Sequence, residues 1–381
     1  MQPIERSGVE RAIVIGGGPA GLASAASLEK RGIPALVVDA GEAVGDSWKA
    51  HYDRLHLHTV RWLSHLPDMR IPRSEGRWVP RDGVVRYLQA YAAHHRLRVR
   101  HSTSVTSVHR SEDVWRLETD AGPLFAEVVV IATGYNREPV VPEWEGMGSF
   151  RGELFHSSRY RNGRAYQGSD VLVVGIGNSG AEIAADLVEH GARSVWVSVR
   201  TPPNILRRDL FGLPTQMVGI ALRHLPGPII DKVSTTTQKL TVGDLTPYGL
   251  RPPERGVHSR VRNEERIPLL DVGFIRALKD RAITVVGPVQ RFDGDEVVLE
   301  DDNRIAPAGV VAATGFRRGL EPLVGHLGVL DKKGNPVVHG AITHTHAPNL
   351  YFIGYSNPLS GNLREIGIDA RRIARSLTSL A

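Results

Sequence analysis

Residues 171–180 read VLVVGIGNSG, and residues 13–21 have already read IVIGGGPAG. Each is an apolar run closing on Gly-x-Gly-x-x-Gly, the pattern of a strand that turns tightly into a helix whose first amide groups face a pyrophosphate. One dinucleotide needs one such turn, so two turns predict two dinucleotides. A lone copy says little, because glycines also close ordinary turns. The surroundings strengthen both. From Ala12 to Asp39 the order is strand (AIVIG), turn, helix (GLASAASLEKRG) and strand (ALVVD), and residues 171–200 repeat it with VLVVG, SGAEIAADLVEHG and SVWVSVR. Residues 105–135 and 283–316 repeat as well: both are short alternating strands separated by turn residues, ending in an apolar strand and Ala-Thr-Gly-aromatic. The expected fold class is α/β, with two Rossmann-like dinucleotide-binding domains.

The copies differ in charge where two different nucleotides would require it. In the first, Gly16, Gly18 and Gly21 are followed 18 positions after Gly21 by Asp39, at the end of the next strand. A carboxylate there accepts hydrogen bonds from ribose hydroxyls and repels a 2′-phosphate, which suits FAD or NAD. The second has Gly175, Gly177 and Gly180, and its next strand ends in Arg200. A guanidinium at that point pairs with a 2′-phosphate, so NADPH is expected, with Arg207 and Arg208 near enough in sequence to share it.

The C-terminal piece NLYFIGYSNPLSGNLREIGIDARRIARSL reads as strand, Gly-rich turn and helix without a nucleotide signature of its own. It is expected to return and complete the first domain. The second domain (166–284, NADPH) is then inserted into the first (1–165 plus 285–381, FAD), with EPVVPEWEG and VVGPVQRF as crossing points.

Bulk properties narrow the function. A chain of 381 residues, 41% hydrophobic, is ample for two cores. The net charge of +6 is spread among 41 acidic residues rather than gathered into a run, so nucleic acid is not an expected partner. There is no cysteine, hence no disulfide framework, thiolate metal site or redox pair. The polar start MQPIERSGVE argues against a signal peptide, and no run reaches the roughly 18 to 20 apolar residues of a membrane span; a cytoplasmic protein is expected. His51, His56 and His58, and His344 with His346, lack further ligands at metal spacing, so no metal is expected. Trp48, in a Gly-x-x-Trp turn after Asp39, suits either the core or a flavin. The stretch FGLPTQMVGIALRHLPGPIIDKV (211–233) reads as amphipathic helix, either packing over the site or forming a subunit contact, which leaves a homodimer open.

FRGELFHSSRY (150–160), written as Phe-x-Gly-x-x-x-His-x-x-x-Tyr, joins the two domains. With the two turns it resembles the class B flavin-containing monooxygenases, which carry one turn for FAD, one for NADPH and this linker. Baeyer–Villiger relatives normally end the linker in Trp followed by Pro or Asp, whereas Tyr160 and Arg161 stand here. The similarity tightens toward the plant YUCCA-like branch and its bacterial relatives: YDRLHLH (52–58) looks like their YDRLKLH, and ATGYNREPVVPEWEGMGSFRGELFHSSRY, VLVVGIGNSGAEIAADL, DLTPYGLRPPERG, PLLDVGFI and VVAATGF are near matches. It runs from about residue 11 to 316 and weakens in the last sixty residues, where GYSNPLSGNLREIG departs from the plant ending.

The resemblance implies FAD contacts from Gly16, Gly18, Pro19, Ala20, Gly21, Asp39, Ala40, Trp48, Leu55, His58, Thr133 and Gly134. It implies NADPH contacts from Gly175, Gly177, Asn178, Ser179, Gly180, Arg200, Thr314 and Gly315. His58, which falls where the plant branch has histidine, is the expected hydrogen-bond donor at the flavin, and His156 and Asn178 complete the predicted catalytic set. The implied chemistry is hydride transfer from NADPH to FAD, reaction with O2 to a C4a-(hydro)peroxyflavin, and insertion of one oxygen atom into a small organic substrate. A 2-oxo acid such as indole-3-pyruvate would be decarboxylated, with Arg61, Arg251 or Arg364 holding its carboxylate. N- or S-oxygenation of a soft nucleophile, electron transfer without oxygen insertion, and cofactor binding without turnover are the alternatives. A disulfide reductase, which shares the two-nucleotide layout, needs the cysteine pair that this chain lacks.

Overall fold

The computed structural model describes residues 8–222, 225–264, 266–356 and 358–378. The first apolar run forms β1 (Val9–Ile15), and the chain turns at Gly16 to Gly18 into α1 (Pro19–Glu29). Proline opens that helix at no cost, since the first amide groups of a helix have no intrahelical acceptor. The fully buried β2 (Ala35–Val38) closes the βαβ unit. With β3 (Arg98–Arg100), β4 (Val105–Ser111), β5 (Val114–Thr119) and β6 (Leu124–Ile131) it builds a sheet of order β3-β2-β1-β6-β5-β4. β1 lies parallel to both β2 and β6, while β4, β5 and β6 form an antiparallel meander. The C-terminal piece returns as the sequence predicts: Leu350–Phe352 pairs parallel with β6, and the helix Asn362–Thr378 packs on α1. Ile13, Ile15, Trp115, Val129, Ile131 and Phe352 centre the core.

The second copy builds its own parallel sheet from β7 (Glu153–His156), β8 (Asp170–Val174), β9 (Ser194–Ser198), β10 (Ile283–Val286) and β11 (Gly309–Ala312), in the order β10-β9-β8-β11-β7. α2 (Asn178–Glu189) follows β8 across the second turn. Val171, Val173, Ile183, Leu187, Val197 and Phe274 are buried together beneath it. β10-β9-β8-β11 has the connectivity of β3-β2-β1-β6, so the repeat seen in the sequence is a repeat of the fold.

Contacts divide the chain into one compact unit of residues 1–49, 60–138 and 316–381 and another of 50–59 and 139–315. The boundaries placed at 165/166 and 284/285 from sequence both fall inside the second unit. The reason is β11, the strand before the second Ala-Thr-Gly, which pairs with β8 and β7 and keeps 285–315 in the second sheet. The stretch 211–233 is broken into a short hairpin (Asp209–Leu210 with Leu213–Pro214) and the helices Thr215–Leu222 and Gly227–Thr241, where Pro226 and Pro228 start a new helix. Residues 223 and 224 of that stretch lie outside the described residues, as do residues 1–7, which hold most of the polar start MQPIERSGVE. Among the described residues no helix is long and apolar enough to cross a membrane.

Candidate functional site

The two Gly-rich turns have the same geometry. Gly18 and Gly177, which precede the two helices, share φ −78° and ψ −175°. Gly16 and Gly175 have φ of +109° and +104°, and a Cβ on either would stand 2.6 or 2.5 Å from the carbonyl oxygen of Ala132 or Ala313. A Cβ on Gly21 or Gly180 would stand 1.8 or 2.1 Å from the carbonyl oxygen of Gly16 or Gly175. Four of the six glycines are thus required by backbone packing. The remaining pair, Gly18 and Gly177, face open space, with nothing within 4 Å of an added Cβ. That leaves a cradle beside the amide groups at each helix start, where a diphosphate fits. Ala20, Gly21, Ser179 and Gly180 lie in these first turns. Thr133 and Gly134 follow β6 as Thr314 and Gly315 follow β11, and the threonine hydroxyls bond Tyr355 Oη (2.7 Å) and the carbonyl of Val140.

Beyond the turns the symmetry breaks. The carboxylate of Asp39 accepts from the amides of Gly17 and Gly41, the latter at 2.6 Å, so it is fixed at the rim of the first turn, next to the exposed Ala40. A carboxylate has about four acceptor positions, and those left over suit ribose hydroxyls. In the second copy the strand ends at Ser198 and Val199 holds the place of Asp39; one residue further, Arg200 is exposed, and among the described residues its guanidinium has no hydrogen-bond or ion-pair partner. Arg207 is also exposed, while Arg208 is half-buried and engaged.

Each motif residue of the linker secures the second unit. Phe150 packs on Phe292 at 5.3 Å between ring centres, and a Cβ on Gly152 would meet the Phe150 ring and the Ala308 carbonyl at 2.4 and 2.6 Å. His156 is buried; its Nδ1 accepts from the Ser158 amide at 3.1 Å, so its Nε2 carries the proton and donates to the Gly315 carbonyl at 2.9 Å. Burial lowers its pKa from 6.5, partly countered by the Gly315 bond. Tyr160 donates to Asp186 Oδ2 at 2.7 Å, and the Gly163 amide donates to the same oxygen at 2.8 Å. Burial and the Asp186 carboxylate push the Tyr160 hydroxyl well above its ordinary range. Asn178 is engaged likewise: its side chain bonds the Leu270 amide (2.8 Å) and the Pro268 carbonyl (3.3 Å). The predicted catalytic residues His156 and Asn178 therefore have their side-chain polar atoms committed to the backbone, His156 fixing the turn after β11 and Asn178 fixing PLLDVGFI.

YDRLHLH packs against α2. Arg54 bonds the Val272 carbonyl at 3.1 Å and pairs with Glu189 at 3.1 Å, and Leu55 packs on the second core. His56 turns its Nδ1 to the Arg54 carbonyl at 2.7 Å. The buried Tyr52 hydroxyl, its pKa raised by burial and then by Glu182, is hydrogen-bonded to the side chains of Ser179 and Glu182. His58 Nε2 stands 3.0 Å from Glu182 Oε1, an oxygen on a side chain only 4% exposed. The ring is not aligned for a hydrogen bond to that oxygen, and among the described residues the buried His58 Nδ1 has no partner. The sequence cast His58 as a donor; the structure places the Glu182 carboxylate beside Nε2 and leaves Nδ1 without a partner among the described residues. Trp48, in the short helix Asp46–Lys49, belongs to the first unit and is half-buried. Glu182, Tyr52 and Asp186 were missed by the sequence reading. Their signal was available: Glu182 and Asp186 are carboxylates one turn apart in SGAEIAADL, on a helix otherwise apolar enough to be buried, and a buried carboxylate requires partners.

Two dinucleotide turns with opposite charge at the strand ends define a two-nucleotide oxidoreductase, and the model of the pyridine nucleotide-disulphide oxidoreductase family matches residues 13–208. The chain is 37% identical over 317 residues to indole-3-pyruvate monooxygenase YUCCA1 of Oryza sativa subsp. japonica, which spans 82% of this chain and 78% of that protein. It is 34% identical over 384 residues to indole-3-pyruvate monooxygenase YUCCA8 of Oryza sativa subsp. indica, covering 96% and 90%. A solved flavin-containing monooxygenase from Stenotrophomonas maltophilia superposes with a TM-score of 0.72 at 25% identity over 97% of this chain and 99% of that one. The chain belongs to the flavin monooxygenase family that includes the YUCCA enzymes. It is a flavin monooxygenase, with FAD and NADPH as its cofactors.

Proposed function

We propose that this enzyme binds FAD on the first turn and NADPH on the second, and inserts oxygen into a 2-oxo acid of the indole-3-pyruvate kind with loss of CO2. The observation that carries the cofactor assignment is the contrast between Asp39, held at the first turn, and Arg200, exposed beyond the second and, among the described residues, unpaired. The relatives' names, indole-3-pyruvate monooxygenase, support the substrate class. Flavin reduced by NADPH supplies the oxygen chemistry when bound. The chain's own work is to bind and orient. Gly18 and Gly177 leave room for the diphosphates, Asp39 holds ribose hydroxyls, and Arg200 meets the 2′-phosphate. His58 Nδ1 accepts a hydrogen bond at the reacting ring. Of the arginines proposed for the substrate carboxylate, Arg61 is bonded to the carbonyls of Ile71 (3.0 Å) and Gly76 (3.1 Å), and Arg364 is paired with Glu365. Arg251 is exposed and, among the described residues, unengaged, and we assign it that role.

Incubation with NADPH, 18O-labelled O2 and an aromatic 2-oxo acid, read by mass spectrometry, tests the proposal. Labelled acid one carbon shorter, with CO2 release, is the expected product. A labelled sulfoxide or N-oxide from a competing sulfide or amine, with no turnover of the keto acid, would overturn the substrate assignment.

A further inference from the structure

We infer that Glu182 is a positioning residue for His58: its carboxylate beside Nε2 keeps the imidazole proton on that nitrogen and leaves Nδ1 bare as a hydrogen-bond acceptor. The inference rests on the reading of His58 as the residue at the reacting flavin. The first support is geometric. Glu182 sits in the second turn of α2 with its side chain 4% exposed, and His58 Nε2 is 3.0 Å from its Oε1. A buried carboxylate accepts only, so of the two neutral tautomers of the ring beside it the one with the proton on the near nitrogen is favoured.

The second support is that each member of the pair keeps an unused polar atom. His58 Nδ1 and Glu182 Oε1 are both buried and, among the described residues, make no hydrogen bond. Orphaned buried polar atoms are costly, and a proton carried on Nε2 and donated to Oε1 satisfies one of them. Nδ1 then remains as an acceptor open to a ligand. The third support is how firmly Glu182 is held. Its helix backbone accepts from Arg54, and its carboxylate meets the Tyr52 hydroxyl, which Ser179 also bonds. A carboxylate anchored on a buried helix orients the histidine as outer partners orient metal-bound histidines. The competing account makes Glu182 only a clasp for Tyr52 and the loop, indifferent to the tautomer.

The tautomer itself separates the two. In FAD-loaded protein labelled with 15N-histidine, two-bond proton–nitrogen correlation reads the protonation of each ring nitrogen, and His58 is assigned by its loss in His58→Asn. The expected result is a protonated Nε2 and a bare Nδ1 in the wild type, moving toward the averaged shifts of exchanging tautomers in Glu182→Leu. A wild-type ring protonated on Nδ1 overturns the inference even if Glu182→Leu does not fold, and so does a tautomer unchanged by that substitution. Turnover gives a second readout. Glu182→Leu should raise the fraction of NADPH oxidised to hydrogen peroxide in the wild-type background and add nothing in His58→Asn; additive effects would overturn the inference while leaving His58 in place. If His58→Asn alone leaves the peroxide fraction unchanged, the reading of His58 fails, whatever the tautomer.

Discussion

Single residues carry opposite demands within one motif. Gly21 has no room for a side chain, since a Cβ would overlap the Gly16 carbonyl at 1.8 Å, whereas Gly18 has room and an ordinary φ of −78°. Gly21→Ala is therefore expected to abolish folding, while Gly18→Ala should fold and purify without colour, because the methyl group enters the diphosphate cradle. Circular dichroism and flavin absorbance check the pair, and a yellow Gly18→Ala would remove the first turn from FAD binding. Arg200→Ala should narrow the preference for NADPH over NADH, since a charge-assisted hydrogen bond contributes about 1.5 to 3 kcal/mol, on the order of tenfold to hundredfold in affinity. Stopped-flow reduction with both nucleotides measures it; an unaltered preference would point to Arg207 instead. His156 adds a pH dependence. Burial holds its folded pKa below the ordinary 6.5, so below that pH the unfolded chain binds more protons and stability falls as the pH drops. Denaturant titrations should show a shallower loss between pH 6.5 and 5 in His156→Gln, even if that variant is less stable throughout.

At the scale of elements, the strand–turn–helix units were legible because pattern and backbone need coincide: apolar runs, required glycines and strand-end charges all lie close in sequence. The linker was legible as a string and opaque as physics. Its spacing reveals nothing of Phe292, Ala308, Gly315 or Asp186, the partners that make its four motif residues necessary, because those lie 26 to 159 positions away. The same holds for Asn178, whose place at the helix start suggests a ligand and whose side chain instead ties down residues 268–270. Tyr160→Phe tests the linker account. It leaves buried Asp186 Oδ2 with one donor fewer and should cost about 1 to 3 kcal/mol of stability with little change in flavin content. A variant as stable as the wild type in urea would mean that Asp186 finds a donor elsewhere.

For the whole molecule, the internal repeat was the better guide to organisation than the composition of the crossings. Taken at its word it assigns residues 283–316 to the second copy, as the second sheet does through β11, whereas the Pro-containing segments suggested a boundary that splits that sheet. No local pattern marks residues 50–59 as leaving their neighbours, since what draws them away is α2, more than a hundred residues later. That division has a consequence for the order in which a growing chain becomes structure. The unit containing 139–315 has all its strands once residue 315 is made, while the unit that begins first must wait for Leu350–Phe352 and the helix Asn362–Thr378. At about 5 to 20 residues per second, the 37 residues from 316 to 352 leave the Val129–Ile131 end of β6 uncovered on one side for roughly 2 to 7 s. Of the two units, the one whose strands come first in sequence is the one completed last, and in that interval the end of β6 awaits its partner strand.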